Sequence, residues 1–395
     1  MMAAGKAAER GRKVLLLEKN DRVGKKLLIS GKGRCNITNS TDIEGLIQNT
    51  PGNGNFLYST FYTFSNMDLL DLLHCEGLET KVERGGRVFP VSDNANDVVQ
   101  VLRRFAQSRG AEIQLKSAAE RIEIKDGMVT GVRLQDGSVE ECTSVVLATG
   151  GASYPGTGST GDGYTMAQRL GHRIIPLKPS LIPLLTAEKW VGELQGLSLR
   201  NVSITIQDKK GKKIYHDFGE MLFTHFGVSG PLILSCSRHI LPYEYKNVKL
   251  LIDLKPALDE ETLDNRLQRD FEKFSRKLFK NSLDELLPQK MIPVIIRLSE
   301  IPEDKPVNQI TKVERRSLVK LLKAFTMEIS GSRPVREAIV TAGGVSTDEI
   351  NPSTMESKLV RGLYFAGEVI DVDAYTGGFN LTIAFSTGYT AGLHC

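Results

Sequence analysis

The first eighteen residues carry the pattern that most restricts the fold of this chain. The Ala-rich segment Met1–Arg10 is followed by Gly11, which predicts a short helix ending at a glycine cap. Lys13–Glu18 is an apolar run that ends in an acid. It is too short for a helix and predicts a buried parallel strand. Helix, glycine, strand and terminal acid are together typical of the second half of a dinucleotide-binding βαβ unit.

The first half of such a unit is a strand and a G-x-G-x-x-G turn, which precede the helix by about a dozen residues. The printed sequence begins at Met1, without that strand and turn. We expect a misassigned start codon or a truncated gene to account for the missing first strand, rather than an evolved loss. An inactive truncated fragment is the alternative.

Short apolar strands that end on glycine recur at both ends of the chain. Val145–Thr149 runs into Gly150 and Gly151, and Leu363–Ala366 meets Gly367. Continuous apolar runs of this length indicate parallel strands covered on both faces. The sequence therefore predicts an α/β fold in which one Rossmann-type nucleotide-binding domain is built from both ends of the chain.

The middle of the chain has a different character. Leu181–Thr224 alternates apolar and polar residues, which indicates antiparallel strands, and Leu258–Ser299 is charged and helical, with Pro288 and Pro293 expected to break it. Val313–Ile329 adds an amphipathic segment. This insertion of roughly 155 residues has the size of an independent domain. We assign 1–179 and 336–395 to the nucleotide-binding domain, 180–257 and 305–335 to an inserted β-rich domain, and 258–304 to a helical insertion.

Charge and cysteine content narrow the partners and the compartment. The chain has 51 Lys and Arg against 47 Asp and Glu, a net charge of +4. This dispersed excess predicts no nucleic-acid partner, because a nucleic-acid footprint is a concentrated basic face. Lys209–Lys213 is taken as a turn and Arg276–Lys280 as a solvated helix face. Five cysteines without a CxxC pair indicate free thiols. The sequence has no apolar stretch of about 18 residues, so no membrane span is predicted. We expect a cytoplasmic protein.

The acid at the end of the first strand and the loop after it are candidate cofactor contacts. A carboxylate at Glu18 can accept hydrogen bonds from ribose hydroxyls; the alternative is a solvated strand end. Two basic glycine segments follow, one with Lys25 and Lys26 and one running from Gly31 to Asn36. Glycine amides beside Lys and Arg suit a pyrophosphate, whereas a flexible surface loop is the alternative.

Two helix starts further along the chain are candidates of the same kind. Asp162, in Ser159–Gly163, either caps the helix that begins near Tyr164 or reaches the cofactor, and the two roles are compatible. The last helix, predicted over Thr382–Gly392, follows a double glycine. A helix N-terminus of this type offers free amides and the positive end of the helix dipole to a negatively charged group.

The order of these pieces resembles the FAD-binding superfamily that includes the fumarate reductase and succinate dehydrogenase flavoproteins. The chain is more similar to the BaiN-like family of NAD(P)/FAD-dependent oxidoreductases, also called the aminoacetone oxidase family. One departure from that family is Lys32, which stands where a glycine is usual. The resemblance covers essentially the whole chain and is carried by six segments: Leu27–Asn39, Gly86–Pro90, Ser153–Tyr164, Phe223–Pro231, Thr341–Val345 and Gly362–Asp371.

The resemblance implies FAD as cofactor and an insertion that holds a β-barrel-like domain and a small helical domain. It implies that Glu18 and Lys19 meet the adenosine ribose, that Lys25 and Lys26 lie near the phosphates, and that the backbone near Ala119 faces the adenine. The remaining FAD contacts that we expect are Gly33, Arg34, Cys35, Asn36, Thr149, Gly150, Gly151, Asp162, Gly367, Glu368, Asp371, Gly377, Gly378, Phe379, Asn380 and Leu381.

We expect a flavoenzyme in which NAD(P)H reduces FAD and the hydride passes to an unsaturated or carbonyl-containing small organic substrate. The alternatives are an oxidase of a small amine or alcohol that uses oxygen, and a non-catalytic flavin-binding protein. His225 is the weak candidate for a catalytic acid or substrate anchor, against a surface histidine. Cys35 lacks a partner cysteine for a dithiol relay, so packing beside the cofactor is expected. We expect no metal, and the sequence does not predict the oligomeric state.

Overall fold

A computed structural model describes all 395 residues, which fall into two compact units: Met1–Ser180 with Pro334–Cys395, and Leu181–Arg333. The α-helices are α1 (Met2–Glu9), α2 (Lys25–Ile29), α3 (Ile43–Gln48), α4 (Tyr58–Thr63), α5 (Asn66–Cys75), α6 (Ala95–Ser108), α7 (Asp162–Arg169), α8 (Pro231–His239), α9 (Glu260–Lys273), α10 (Ile292–Ser299), α11 (Lys312–Lys323) and α12 (Phe379–His394).

The strands are β1 (Leu15–Glu18), β2 (Thr38–Asn39), β3 (Thr80–Glu83), β4 (Arg87–Pro90), β5 (Glu112–Leu115), β6 (Ala119–Lys125), β7 (Met128–Leu134), β8 (Val139–Glu141), β9 (Val145–Leu147), β10 (Ile174–Ser180), β11 (Leu184–Thr186), β12 (Ser198–Asp208), β13 (Lys213–Phe223), β14 (Gly227–Ser229), β15 (Val248–Asp253), β16 (Phe325–Ser332), β17 (Val340–Val345) and β18 (Leu363–Phe365).

Parallel strands organise the first unit. Strand β1 pairs with β5 and β18 pairs with β9, both in parallel, with Leu15 opposite Glu112 and Leu363 opposite Val145. The predicted parallel strands are thus confirmed, although all four residues of β1 are only half-buried. Antiparallel sheets β2–β4–β3, β6–β7–β8 and β10–β17 complete the unit.

The long helix α12 packs tightly against α1. Gly388 and Gly392 lie one turn apart on α12 and face Met2 and Ala3 of α1, so closely that a Cβ on Gly392 would overlap the Ala3 backbone. Small residues at this spacing let two helix backbones approach each other. The same helix continues the main hydrophobic core, where Ile383 joins residues of the parallel strands.

A buried histidine joins α7 to a loop near the other end of the chain. His172 accepts or donates at both ring nitrogens: Nδ1 lies 3.1 Å from Glu349 Oε2 and Nε2 lies 2.9 Å from Ser357 Oγ. Its ring packs edge-on against Phe365. The Ser357 hydroxyl also accepts from the Val360 amide at 2.9 Å. No local pattern in the sequence signals this interaction, which fixes the 346–360 loop within the first unit.

We expect His172 to make the free energy of unfolding depend on pH. Burial lowers the pKa of His172, with Glu349 acting in the opposite direction. The unfolded state therefore binds the proton more readily, and the contribution to stability is lost as pH falls through about 6.5, the ordinary histidine pKa. We expect the free energy of unfolding in urea to decline towards acidic pH, and less steeply in His172→Gln. Equal slopes for the two proteins would contradict this prediction.

The second unit contains a closed barrel of six strands in the order β11–β14–β13–β12–β15–β16. All neighbours are antiparallel, and β12 and β13 form the predicted hairpin around the turn at Lys209–Gly211. Alternate residues of β12, including Ile204 and Ile206, are fully buried. The expected β-barrel-like domain is therefore confirmed.

Helices α9, α10 and α11 lie in the same unit, and they correct two expectations. Pro293 does not break a helix: it occupies the first turn of α10, where its missing N–H has no intrahelical partner to lose. The segment Val313–Ile329 is not one amphipathic element, because α11 ends at Lys323 and β16 begins at Phe325. No helix of the chain has the length and apolar character needed to cross a membrane.

Candidate functional site

Glu18 lies at the carboxyl end of β1, where its side chain is held from within its own loop. Its Oε1 accepts hydrogen bonds from the backbone N–H and the side-chain amide of Asn20, both at 2.8 Å. The Ser117 amide donates to the Glu18 carbonyl at 3.0 Å, which brings the segment leading to Ala119 beside this strand end. The carboxyl end of parallel strands is where nucleotides bind in open α/β sheets.

Lys19 and Asp162 meet across 143 residues of sequence. Lys19 Nζ lies 2.5 Å from Asp162 Oδ2 and 2.5 Å from Thr160 Oγ1. Burial acts to raise the pKa of Asp162, but hydrogen bonds from Lys19 and Thr160 outweigh it and lower that pKa below its usual value. Asp162 is the first residue of α7 and Gly161 precedes it as the cap. The capping interpretation of Asp162 was therefore wrong, because its carboxylate is turned to Lys19.

A second cluster forms around Glu368, which follows β18. Its Oε2 lies 2.5 Å from Lys26 Nζ, and its Oε1 accepts from Ser153 Oγ at 3.0 Å and from the Thr341 amide at 2.8 Å. A Cβ on Gly151 would lie 2.7 Å from Glu368 Oε1, so a larger residue there would displace this carboxylate. Three segments far apart in sequence thus converge on the carboxylate of a fourth.

The double glycine before α12 is clamped by the loop that follows α2. The Asn39 amide donates to the Gly377 carbonyl at 3.1 Å. The Asn36 side-chain oxygen accepts from the Gly378 amide at 3.0 Å when its amide group is oriented to satisfy all its hydrogen bonds. Thr38 Oγ1 and Thr382 Oγ1 are 2.6 Å apart. The start of α12 is therefore fixed against β2.

Several expected site residues are engaged elsewhere. Arg34 binds Glu83 and Asp93 and stacks on the ring of Phe89, 4.0 Å away. Lys25 pairs with the exposed Asp21 at 2.8 Å. Cys35 is fully buried, and burial raises the pKa of its thiol to about 11.

Two further candidates lie apart from these clusters. Asp371 accepts from the Asn53 amide at 2.9 Å. His225 is exposed in the second unit, after β13, with its ring edge-on to Phe226. That position favours the surface-histidine alternative, and a catalytic role for His225 stays a prediction.

Polar residues that the sequence did not single out complete these clusters. Asn20, Ser153, Thr160 and Thr341 each bond to a predicted site residue. Three of them lie inside the segments that carry the family resemblance, and that position was the one indication in the sequence that they belong to the site. Their roles could not be assigned because each is defined by a partner distant in sequence.

The arrangement suits a dinucleotide such as FAD. Thr149 Oγ1 is buried and has no hydrogen-bond partner within the protein, which is the state of a polar atom whose partner is a ligand. Gly150 beside it has φ +74° and leaves the backbone open to close approach. The chemical character of the site matches the parts of FAD. The acid at a strand end suits the ribose, the lysines beyond it suit the phosphates, and the helix N-terminus behind two glycines suits the flavin.

The fold and the glycine-lined strand ends define a Rossmann-type FAD-binding flavoprotein fold. A solved flavocytochrome c3 fumarate reductase in its open conformation aligns with 100% of this chain and 75% of its own, with a TM-score of 0.51 at 15% identity. The chain belongs to the HI0933-like protein Rossmann domain family, whose model matches residues 1–394. The resemblance to FAD-dependent oxidoreductases is thereby confirmed.

Two curated relatives are similar over nearly their full lengths. The ribosomal RNA dihydrouridine synthase of Haemophilus influenzae is 33% identical over 100% of this chain and 95% of the relative. The 3-dehydro-bile acid delta(4,6)-reductase of Clostridium scindens is 30% identical over 96% of this chain and 91% of the relative.

Proposed function

We propose that the first unit binds FAD along the three clusters described above. Glu18 would accept from the adenosine ribose, and Lys19 and Lys26 would turn from Asp162 and Glu368 towards the pyrophosphate. The amides at the start of α12 would face the flavin. The unpartnered Thr149 hydroxyl supports this proposal because it is buried just beyond the end of β9 and lacks a protein partner.

The reaction we propose is the reduction of a carbon–carbon double bond conjugated with a carbonyl group. The names of both relatives describe this chemistry, one on a pyrimidine ring and the other on a steroid ring. Bound FAD would supply hydride transfer, passing two electrons and a proton from NAD(P)H to the β-carbon while the α-carbon takes a proton from solvent. The protein's part is to bind and orient both partners and to limit access of water and oxygen.

We propose uracil in ribosomal RNA as the substrate, in contrast to the expectation from the dispersed charge that the chain has no nucleic-acid partner. The RNA-acting relative is matched over the whole chain, and two exposed lysines lie on the barrel, one of them 3.8 Å from Glu328. Lys213 and Lys249 stand opposite Gln207 on the two strands that flank β12. Phe218 lies on the same strand as Lys213 and its side chain is half exposed. Exposed cations and an exposed aromatic ring on the same strand suit a nucleic-acid strand.

The carbonyl-conjugated steroid of the bile-acid relative is the second candidate, because that relative is also matched over most of its length. It agrees with the small organic substrate expected from the sequence. The two substrates are separated by giving the purified protein NADPH and either deproteinised ribosomal RNA, from a strain lacking this gene, or a 3-oxo-4,6-diene steroid. We expect dihydrouridine in the RNA by mass spectrometry after nucleoside digestion. Reduction of the steroid alone would overturn the RNA assignment.

The exposed lysines supply a prediction about binding. Lys209→Glu with Lys213→Glu is expected to weaken RNA affinity at least tenfold. The slope of log K against log salt should also become shallower, by about 0.7 for each single-strand phosphate that the protein no longer neutralises. Arg276→Glu with Lys280→Glu is the matched control, since these residues are exposed cations on the helical part of the same unit. Equal losses of affinity in both variants would show that only overall charge matters.

A further inference from the structure

A pocket of about 510 Å³ lies in the first unit beside the proposed FAD site. Its lining comes from two short turns, Tyr154–Thr157 and Arg336–Glu337. The turns are joined by a hydrogen bond from the Tyr154 amide to the Arg336 carbonyl at 3.1 Å. The pocket is shallow and open to solvent, and its volume lies within the roughly 300–1,000 Å³ of small-molecule sites.

Both main side chains of this pocket lack protein partners. Tyr154 is 40% exposed, and its side chain makes no ring contact or hydrogen bond. The exposed Arg336 guanidinium forms no ion pair and no side-chain hydrogen bond. Glu337 lines the pocket as well, but it is engaged in an interaction of its own. An aromatic face and a free guanidinium are thus presented together.

The backbone at Tyr154 is held in an uncommon conformation. Tyr154 has φ +51° and ψ +62°, in the left-handed region that a bulky aromatic residue rarely adopts. Thr157 fixes it, because the Thr157 amide and hydroxyl both donate to the Tyr154 carbonyl, at 2.8 and 2.7 Å. Strain of this type collects at ligand sites, where the surrounding structure maintains it.

The pocket also adjoins the FAD clusters on both of its sides. Ser153, next to Tyr154, binds Lys26 and Glu368. The Thr157 carbonyl accepts from the Asn20 amide at 3.1 Å, beside Glu18. A Cβ added to Gly156 would meet no atom within 4 Å, so this wall is open to a ligand.

We propose that this pocket binds a nucleotide, with its base or nicotinamide ring on Tyr154 and a phosphate on Arg336. Guanidinium groups bind phosphates through paired charge-assisted hydrogen bonds, and aromatic rings stack on bases. This rests on the proposed function, which requires a dinucleotide donor and a uridine nucleotide as substrate. The turn that lines the pocket begins the run Gly156–Gly161, which has the spacing G-x-G-x-x-G, and the pocket offers a site for either nucleotide.

The test is direct binding to the FAD-loaded protein, measured calorimetrically with NADP⁺ in one arm and uridine monophosphate in the other. Arg336→Ala should weaken one of the two at least tenfold, and that arm identifies the occupant. Tyr154→Ala should weaken the same nucleotide, whereas Tyr154→Phe keeps the ring and should bind normally. Arg361→Ala, another exposed arginine of this unit, is the control. Bound FAD per protein should not change in any variant.

Normal binding of both nucleotides by Arg336→Ala and Tyr154→Ala would overturn the proposal, as would the absence of binding to the wild-type protein. The result is separable from the fate of the proposed function. If nucleotide binding depends on Arg336 but the protein reduces neither RNA nor steroid, the pocket proposal is retained and the proposed reaction is rejected. If both variants bind the nucleotides normally and the enzyme is active, the pocket proposal is rejected and the proposed reaction is retained.

Discussion

Replacing Gly378 with alanine is expected to remove most of the bound FAD. Gly378 has φ +102° and starts α12 directly against β2, so that an added Cβ would overlap the backbone carbonyl of Thr38. A backbone atom cannot move aside as a flexible side chain can. The helix start must shift, and with it the amides that we assign to the flavin. FAD content per protein after purification measures the effect.

The matched control is Gly77→Ala. Gly77 has a similarly left-handed backbone, with φ +85°, but a Cβ there meets no atom within 4 Å. It therefore reports the backbone strain alone, about 1–2 kcal/mol. Circular dichroism and the urea midpoint of both variants show whether each folds. If the Gly378→Ala variant folds and retains as much FAD as the Gly77→Ala variant, this result contradicts the close approach of α12 to β2.

Replacing Glu368 with alanine is the second large change that we expect. Three donors, Lys26 Nζ, Ser153 Oγ and the Thr341 amide, lose their shared acceptor. The Glu368 side chain is 17% exposed and that of Lys26 is 31% exposed, so water compensates in part. We expect a loss of about 2 kcal/mol in the free energy of unfolding, together with weaker FAD binding.

Glu368→Gln is the conservative comparison, because it keeps an acceptor for Ser153 and the Thr341 amide but removes the charge. It should be less destabilising than Glu368→Ala. A double-mutant cycle of Glu368→Gln with Lys26→Met isolates the ion pair. We expect a coupling of about 1 kcal/mol for this partly exposed pair. Additive effects of the two substitutions would show that the pair does not hold these segments together.

The sequence predicted those parts of the fold that local patterns determine. The apolar runs of β9 and β18 and the hairpin of β12 and β13 follow from period and turn residues within a few positions. These patterns placed the glycine-ended strands and the antiparallel strands of the insertion, the family resemblance implied the barrel, and the family comparison confirmed the Rossmann class. The boundaries assigned to five segments and the set of FAD contacts stay predictions.

The partners of long side chains could not be predicted in this way. Lys26 and Glu368 are 342 residues apart in sequence, and their contact depends on how β18 and α2 pack. Arg34 is expected along the cofactor, and in the structure its guanidinium binds Glu83 and Asp93, which no local pattern indicates. His172 carried no local signal, because its role is defined by Glu349 and Ser357 on a distant loop.

The proposed reaction is tested most directly by following the visible absorbance of the flavin in the purified protein without oxygen. NADPH should bleach it, and ribosomal RNA that contains unreduced uridine should restore it, with one dihydrouridine formed for each flavin reoxidised. RNA already carrying the modification should leave the flavin reduced. A flavin that NADPH does not bleach, or that only oxygen reoxidises, would contradict the proposed reaction.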